Sequence, residues 1–315
     1  MTRFKADLIL LLVALVWGSA FAAQRVAAGY LDAFTFNGLR FLLAGLILTP
    51  FVYRGGRGAA QRPARAGKHS LWLPVLAGGL LFAAGGLQQA GLAETTAGNA
   101  GFITGLYVVF VPFLLSLFWK ERMTWVVWAA AGLAVAGGLL LSTGGALRFN
   151  RGDLLELIGA VAWALHVIVV GRATSRMEVL KFSAGQFLTA GGLNLAFSLV
   201  LGASWNGLAV AWWTVLYVAL FSTTLGYTLQ VVGQKVAPPT DASILLSMEA
   251  VFAALFGWLF LHEALSGQQL LGCALILAAI LLTQVGGVWA DRKKPAEGVD
   301  KRSSERPGGS LMEND

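Results

Sequence analysis

Charge is what this chain has least of. Asp, Glu, Lys and Arg make up 12% of its 315 residues, against about 25% in typical soluble proteins. So few charges cannot clothe a water-facing surface, which excludes an ordinary soluble enzyme. Disorder is excluded too, because it needs low hydrophobicity and 57% of these residues are apolar. Cysteine is nearly missing. Cys273 stands alone in an apolar run, which excludes an internal disulfide and a cysteine-built metal site and says nothing about redox compartment. Three histidines scattered at 69, 166 and 262 make no metal cluster. No Walker motif occurs, so ATP cannot drive the chain directly. Neither a metal nor a cofactor is expected.

What is present is apolar sequence in long blocks. Mean hydropathy is +0.70, with 39 Gly and 11 Trp. A helix needs about 20 mostly apolar residues to cross a hydrocarbon core of roughly 30 Å. Ten such runs occur, at about 8–27, 33–53, 71–92, 97–119, 124–142, 153–171, 181–202, 209–233, 241–261 and 266–287. Short polar breaks such as Lys120-Glu121-Arg122 and Pro238-Pro239-Thr240 separate them. The expected fold is an all-α integral membrane protein of ten transmembrane helices. Arg3, Lys5 and the small pattern Ala20-Phe21-Ala22 imitate a cleavable signal peptide, but the apolar stretch is long for one and the first helix is expected to stay. Asp291 to Asp315 carries 12 charges among Pro, Gly and Ser, the composition of a disordered tail.

The net charge of +7 is informative by its placement. With the N-terminus in the cytoplasm, thirteen Lys and Arg before the tail fall on that side, among them Arg3, Lys5, Arg57, Arg62, Lys120 and Lys235. Only Arg25, Arg148 and Arg151 fall on the other. This positive-inside bias predicts both termini in the cytoplasm and a multi-pass protein of the bacterial inner membrane. The charges are scattered over short loops rather than gathered with stacking aromatics, so nucleic acid is not an expected partner. Membrane lipid is, together with a small-molecule substrate; a monomer and a homodimer both fit.

Shifting the chain by 142 residues lays Leu87-Gln88 on Leu229-Gln230, Ala100 on Ala242, Val109-Phe110 on Val251-Phe252 and Leu117-Phe118 on Leu259-Phe260. At a slightly different offset Trp17 matches Trp163. The consistent order points to a duplicated unit of five helices, with a first repeat over 1–145, a second over 150–289 and the tail over 290–315. Five is odd, so the second copy enters the membrane from the opposite side and the repeats are inverted. Inverted repeats recur in secondary transporters, which open to either side around a midplane site.

The segment Thr95-Thr96-Ala97-Gly98-Asn99-Ala100-Gly101-Phe102, continuing to Lys120-Glu121-Arg122, resembles the fourth helix of EamA-type proteins of the drug/metabolite transporter superfamily. Ser247-Met248-Glu249-Ala250 running to His262-Glu263 resembles its counterpart in the second repeat, and Leu15-Val16-Trp17-Gly18-Ser19 and Leu39-Arg40-Phe41 also fit. The resemblance covers about 7–287 and implies a ten-helix inner-membrane carrier, often an exporter of amino acids or other small metabolites. Two departures stand out. Ala250 replaces a proline common after the glutamate, which removes an expected kink, and His166 sits where an aromatic such as Tyr is common.

A charge at the bilayer centre costs roughly 2.5–3.5 kcal/mol on insertion scales, so deep charges need a reason. Arg40 and Glu249 are the two expected well inside the spans. Glu249 comes about nine residues into its run, or ~13 Å at 1.5 Å per residue. It can take a substrate amine or a proton, or hydrogen-bond a neighbouring helix or Arg40. Its partner at the 142 offset is Tyr107. Arg40 can meet a substrate carboxylate, neutralise Glu249, or snorkel outward. Trp17 and Trp163 lie at mid-depth, where indole rings can line a cavity. Gln88, Gln230, His166 and the Thr223-Thr224-Tyr227 group are polar lining or interhelical bonds. Asn99 and Asp241 are read as N-caps, and Glu121 and Glu263 as fixing their own turns. Paired glycines such as Gly78-Gly79, Gly137-Gly138 and Gly191-Gly192 fall inside helices and are read as close-packing sites.

Three functional classes are consistent with a ten-helix membrane protein: a carrier, an intramembrane lipid-modifying enzyme, and a non-transporting assembly component. An enzyme gathers acids and bases near one face, whereas the longest internal loop, roughly 54–70, holds five cations and no acid. An assembly component does not require an inverted repeat. The expectation is a non-enzymatic secondary transporter, an exporter of small organic metabolites working by alternating access.

Overall fold

The computed structural model describes residues 1–55, 72–143, 150–263 and 266–292. The basic loop with Arg57, Arg62, Arg65 and Lys68, the cation Arg148, and the tail beyond Arg292 lie outside the described residues. Among the described residues all regular structure is helical. In chain order it runs α1 (Arg3–Ala27), α2 (Ala33–Gly55), α3 (Trp72–Gly91), α4 (Ala97–Gly105), α5 (Tyr107–Trp119), α6 (Trp125–Thr143), α7 (Arg151–Ala173) and α8 (Val179–Val200). Then come α9 (Leu208–Tyr217), a π-helical segment (Val218–Tyr227), α10 (Thr228–Gly233), α11 (Pro239–Leu246), α12 (Glu249–Leu261) and α13 (Gly267–Arg292).

Taking Ala97–Trp119, Leu208–Gly233 and Pro239–Leu261 as continuous runs, the helices form ten rods, one per expected span. Seven are long and apolar enough to cross a membrane. The other three are weaker. α6 and α13 contribute the shorter apolar stretches Trp125–Leu140 and Gly267–Leu282. In α8, Lys181, Ser183, Gln186, Thr189, Asn194 and Ser198 dilute the apolar run.

Local chemistry marks the helix ends. Thr2 and Thr96 accept backbone N–H bonds from Lys5 and Asn99. Asn150 and Asp153 form a reciprocal capping box at 2.8 and 3.0 Å, and Ser266 and Gln269 do the same before α13. Such pairs satisfy amide donors that the first turn leaves open. Both α5 and α12 end on a non-glycine in the left-handed region, Lys120 (φ 55°) and His262 (φ 57°). These positions are 142 residues apart, and so are the breaks at Leu106 and Met248 that precede α5 and α12. The missing proline at 250 therefore does not leave this span straight. The Ser247 hydroxyl donates to the Ile244 carbonyl at 2.7 Å, a side-chain bond that competes with the helical ladder.

The tightest packing joins the two halves of the chain. α2 lies on α8, α6 on α13, α3 on α7 and α8, and α12 on α1 and α4. Small residues permit this approach: a Cβ on Gly78 would lie 2.7 Å from the Gln186 carbonyl, and one on Gly137 would lie 2.6 Å from that of Gly272. The outer surface carries large apolar side chains such as Leu46, Phe113, Leu117, Trp128 and Leu281, while Arg40, Glu156, Asn37, Gln230 and Asn194 are buried. An apolar exterior over a polar interior suits lipid as the solvent.

Candidate functional site

The broken helices set the site's geometry. Tyr107 begins α5 and Glu249 begins α12, so each projects from the first turn after a break. The two are adjacent. They open onto a small cavity, which Trp17, Arg40, Gln88, Trp163, His166 and Gln230 also line. All eight residues singled out from the sequence thus meet around one space. Phe21, Gln24, Thr104, Val167, Ser222 and Tyr227 complete its wall.

Tyr227 is the hub of the aromatic side. Its ring centroid lies 4.7 Å from that of Trp17 and 5.9 Å from that of Trp163, the latter stacked at 15°. His166 meets it edge-on at 5.8 Å. The π-helical segment shapes this contact. The Ser222 carbonyl within it accepts from Trp17 Nε1 at 3.1 Å, and π-bulges frequently mark functional sites. Gly226 makes room for the indole, because a Cβ there would sit 2.5 Å from Trp17 Nε1.

The polar side is built of atoms without partners. Arg40 is 1% exposed, so it does not snorkel. Its Nε donates to Asn37 Oδ1 at 2.7 Å, Asn37 is held in turn on the Gly85 carbonyl, and the guanidinium lies 4.4 Å over the Phe41 ring. No carboxylate pairs with it among the described residues, which removes the expected counter-ion link to Glu249. Arg40 Nη2, Glu249 Oε1, the Tyr107 hydroxyl, Trp163 Nε1, His166 Nδ1 and both amide atoms of Gln230 are buried with no hydrogen-bond partner among the described residues. Gln88 is satisfied, since its Nε2 donates to Thr104 Oγ1 at 3.0 Å. His166 Nε2 is hydrogen-bonded to the Gln186 side chain at 3.0 Å.

Several expectations are corrected. Arg40 and Glu249 are not the only deep charges: Glu156, one turn inside α7, is wholly buried. The close crossing of α3 and the side chain of Thr104 cover it. Asn99 and Asp241 are not the N-caps of their helices, positions held by Thr96 and Pro238. Asn99 donates to Thr95 Oγ1 and to Asp153, and Asp241 receives Arg3 Nη2 at 2.7 Å. The Glu263 backbone N–H closes its own turn on the Gly257 carbonyl at 3.2 Å, as that of Glu121 does on Leu115 at 3.3 Å, but the Glu263 side chain reaches further. Its carboxylate accepts from the Ala97 and Gly98 amides at 3.1 and 3.5 Å, using the positive end of α4. Glu121 faces Arg172 at 3.8 Å, and Arg172 lies over Trp119. Of the threonine group, only Tyr227 reaches the cavity; Thr224 bonds the Ala219 carbonyl five residues back, inside the π-helix. No group of three or more His, Cys, Asp or Glu able to hold a metal occurs among the described residues.

Ten helical rods with an apolar exterior, closed around a polar and aromatic cavity, define a multi-pass membrane protein of transporter architecture. The sequence comparisons agree. The EamA-like transporter family model matches residues 4–143 and 150–285, and the chain belongs to that family. An uncharacterized transporter of Archaeoglobus fulgidus is 30% identical, with 90% of this chain and 87% of that one covered. The uncharacterized inner membrane transporter YedA of Escherichia coli K12 is 26% identical over 86% and 88% of the two chains. A solved crystal structure superposes with a TM-score of 0.74 at 20% identity, covering 92% of this chain and all of that one, a likeness of fold alone. The chain is a membrane transporter rather than an enzyme.

Proposed function

We propose that this protein is a secondary transporter, and specifically an exporter, of small organic solutes carrying both an ammonium and a carboxylate group, such as amino acids. The observation that carries the reading is one cavity lined by two buried groups of opposite charge type, Arg40, whose Nη2 has no partner among the described residues, and Glu249, which lies against Tyr107. Leaving a buried charged group unmatched is costly, and an amphoteric solute answers both groups at once. Its carboxylate meets the guanidinium fork, its ammonium meets Glu249, and its apolar part lies along Trp17, Tyr227 and Trp163.

The mechanism is alternating access between inverted halves, 1–145 and 150–289, in the bacterial inner membrane with both termini in the cytoplasm. The matching breaks at Leu106 and Met248 and the matching left-handed caps at Lys120 and His262 support the duplication. The test is counterflow in liposomes with pooled solutes, comparing the wild type with Glu249→Gln and Arg40→Met. Expected is exchange of amphoteric solutes by the wild type that both variants lose. No exchange of any small solute would remove the carrier reading.

A further inference from the structure

Glu156 stands outside the cavity yet is joined to it by two hydrogen bonds. The Thr104 hydroxyl donates to Glu156 Oε2 at 2.9 Å and accepts from Gln88 Nε2 at 3.0 Å, and Thr104 and Gln88 both line the cavity. Glu156 Oε1 is buried with no hydrogen-bond partner among the described residues. α3 crosses α7 so closely here that a Cβ on Gly91 would lie 2.9 Å from Glu156 Cγ and 3.1 Å from its Oε1. The charged groups that face Glu156 are Asp153, one turn earlier on α7, and Glu249 from α12. Both are acids. From α3 it meets Gln88 through Thr104, and none of the ion pairs among the described residues includes it.

A carboxylate in this position has one hydrogen bond and no cation, a state that costs several kcal/mol. Something mobile and positive must neutralise it. We propose that Glu156 is the proton-carrying carboxyl of an exchange cycle, in which a proton on Glu156 and a cationic group in the cavity displace one another. This rests on the carrier reading above.

With the cavity empty, Glu156 is a neutral acid. A solute ammonium arriving beside Glu249 brings positive charge to the cavity side of Thr104. The Glu156 O–H bond then breaks, the proton passes to water, and the carboxylate keeps the Thr104 hydroxyl as its donor. When the solute leaves, water returns one proton and the O–H bond re-forms. Charge is conserved at one proton per ammonium. The way out is short. Asp153 lies one turn from Glu156 and is bonded to Thr95 Oγ1 and to the backbone N–H of the exposed Asn150.

The experiment uses the full chain. A pH dye records proton release when an amino acid is added to purified protein. Liposomes record counterflow at equal pH and accumulation driven by a pH difference, for the wild type and Glu156→Gln. The wild type is expected to release about one proton per solute bound and Glu156→Gln none. The variant keeps counterflow but loses driven accumulation about tenfold, within the usual range of site-to-site coupling. If Glu156→Gln does not insert, Glu156→Asp carries the test. Solute must then bleach a protonated-carboxyl infrared band of the wild type, and that band must shift in the Asp variant. No proton release by the wild type, unchanged driven accumulation in Glu156→Gln, or loss of its counterflow as well would overturn the proposal. So would accumulation driven by sodium rather than by protons. A wild type with no counterflow at all removes the carrier reading, and this proposal with it.

Discussion

Arg40 carries its charge where no carboxylate answers it, and the way it is held says what it waits for. Asn37 fixes Nε and the Phe41 ring supports the guanidinium plane, while Nη2 stays without a partner. A lysine gathers its donors on one nitrogen, so it cannot hold Asn37 and at the same time offer a carboxylate the separate, planar Nη2 of the guanidinium fork. Arg40→Lys is therefore expected to weaken counterflow of amphoteric solutes by 1.5–3 kcal/mol, roughly 10- to 150-fold, the worth of a hydrogen bond to a charged group. Amines without a carboxylate should be unaffected; an equal loss for such amines would show that Arg40 only supports the fold. Arg40 and Glu249 were legible in the sequence because a charge inside an apolar run has nothing to hide it. Glu156 was not, because an acid in the first turns of a helix is ordinary. Only the approach of α3 and α4 makes it a buried group. Tyr227 was named as polar lining, but its place among Trp17, Trp163 and His166 depends on a π-helical register that no residue type announces.

At the scale of the element, the paired glycines make the sharpest contrast. In α8, a Cβ on Gly191 would lie 2.6 Å from the backbone nitrogen of Leu42, whereas one on Gly192 would meet nothing within 4 Å. Gly78 and Gly79 on α3 repeat the pattern, the first against Gln186 and Thr189 and the second in open space. Alanine at the inner position of each pair has to push two helix backbones apart, a strain of about 1–3 kcal/mol. At the outer position it only removes glycine's helical disadvantage, a gain of about 0.5–1 kcal/mol. Thermal unfolding in one detergent should rank Gly192→Ala at or above the wild type and Gly191→Ala below it. Equal melting temperatures for the two would mean that α2 and α8 do not meet as described. The sequence located the glycine pairs and their packing role. Which member of each pair faces its neighbour depends on helix rotation, and the small, apolar residues around them carry too little polarity contrast to report it.

For the whole molecule, ties fasten both ends of the bundle, and on the proposed alternating-access cycle each must release in turn. At one end Arg3 of α1 holds Asp241 in the first turn of α11 at 2.7 Å, and Asp7 at 2.8 Å. At the other, Glu263 beyond α12 holds the amides that start α4. Asn99 and Asp241 are 142 residues apart in sequence, so each tie fastens the start of one of the two broken helices. Seven of the ten rods meet the length and apolarity that a crossing demands, and the spacing of the polar breaks located the other three. The ties were not legible in the sequence, because they join residues of unlike type, a carboxylate on backbone amides at one end and an ion pair at the other. Alternating access requires each end to open in turn while the other stays shut. With Cys273 replaced by Ala, cysteine pairs at 3 and 241 and at 97 and 263 can be bridged by a cleavable bifunctional thiol reagent. Either bridge should stop counterflow, cleavage should restore it, and each single cysteine modified alone should leave flux in place. A bridge that closes fully without slowing exchange would mean that its end stays shut throughout the cycle. The cavity would then serve one side of the membrane only, and solute could not cross by the rocking of two inverted halves.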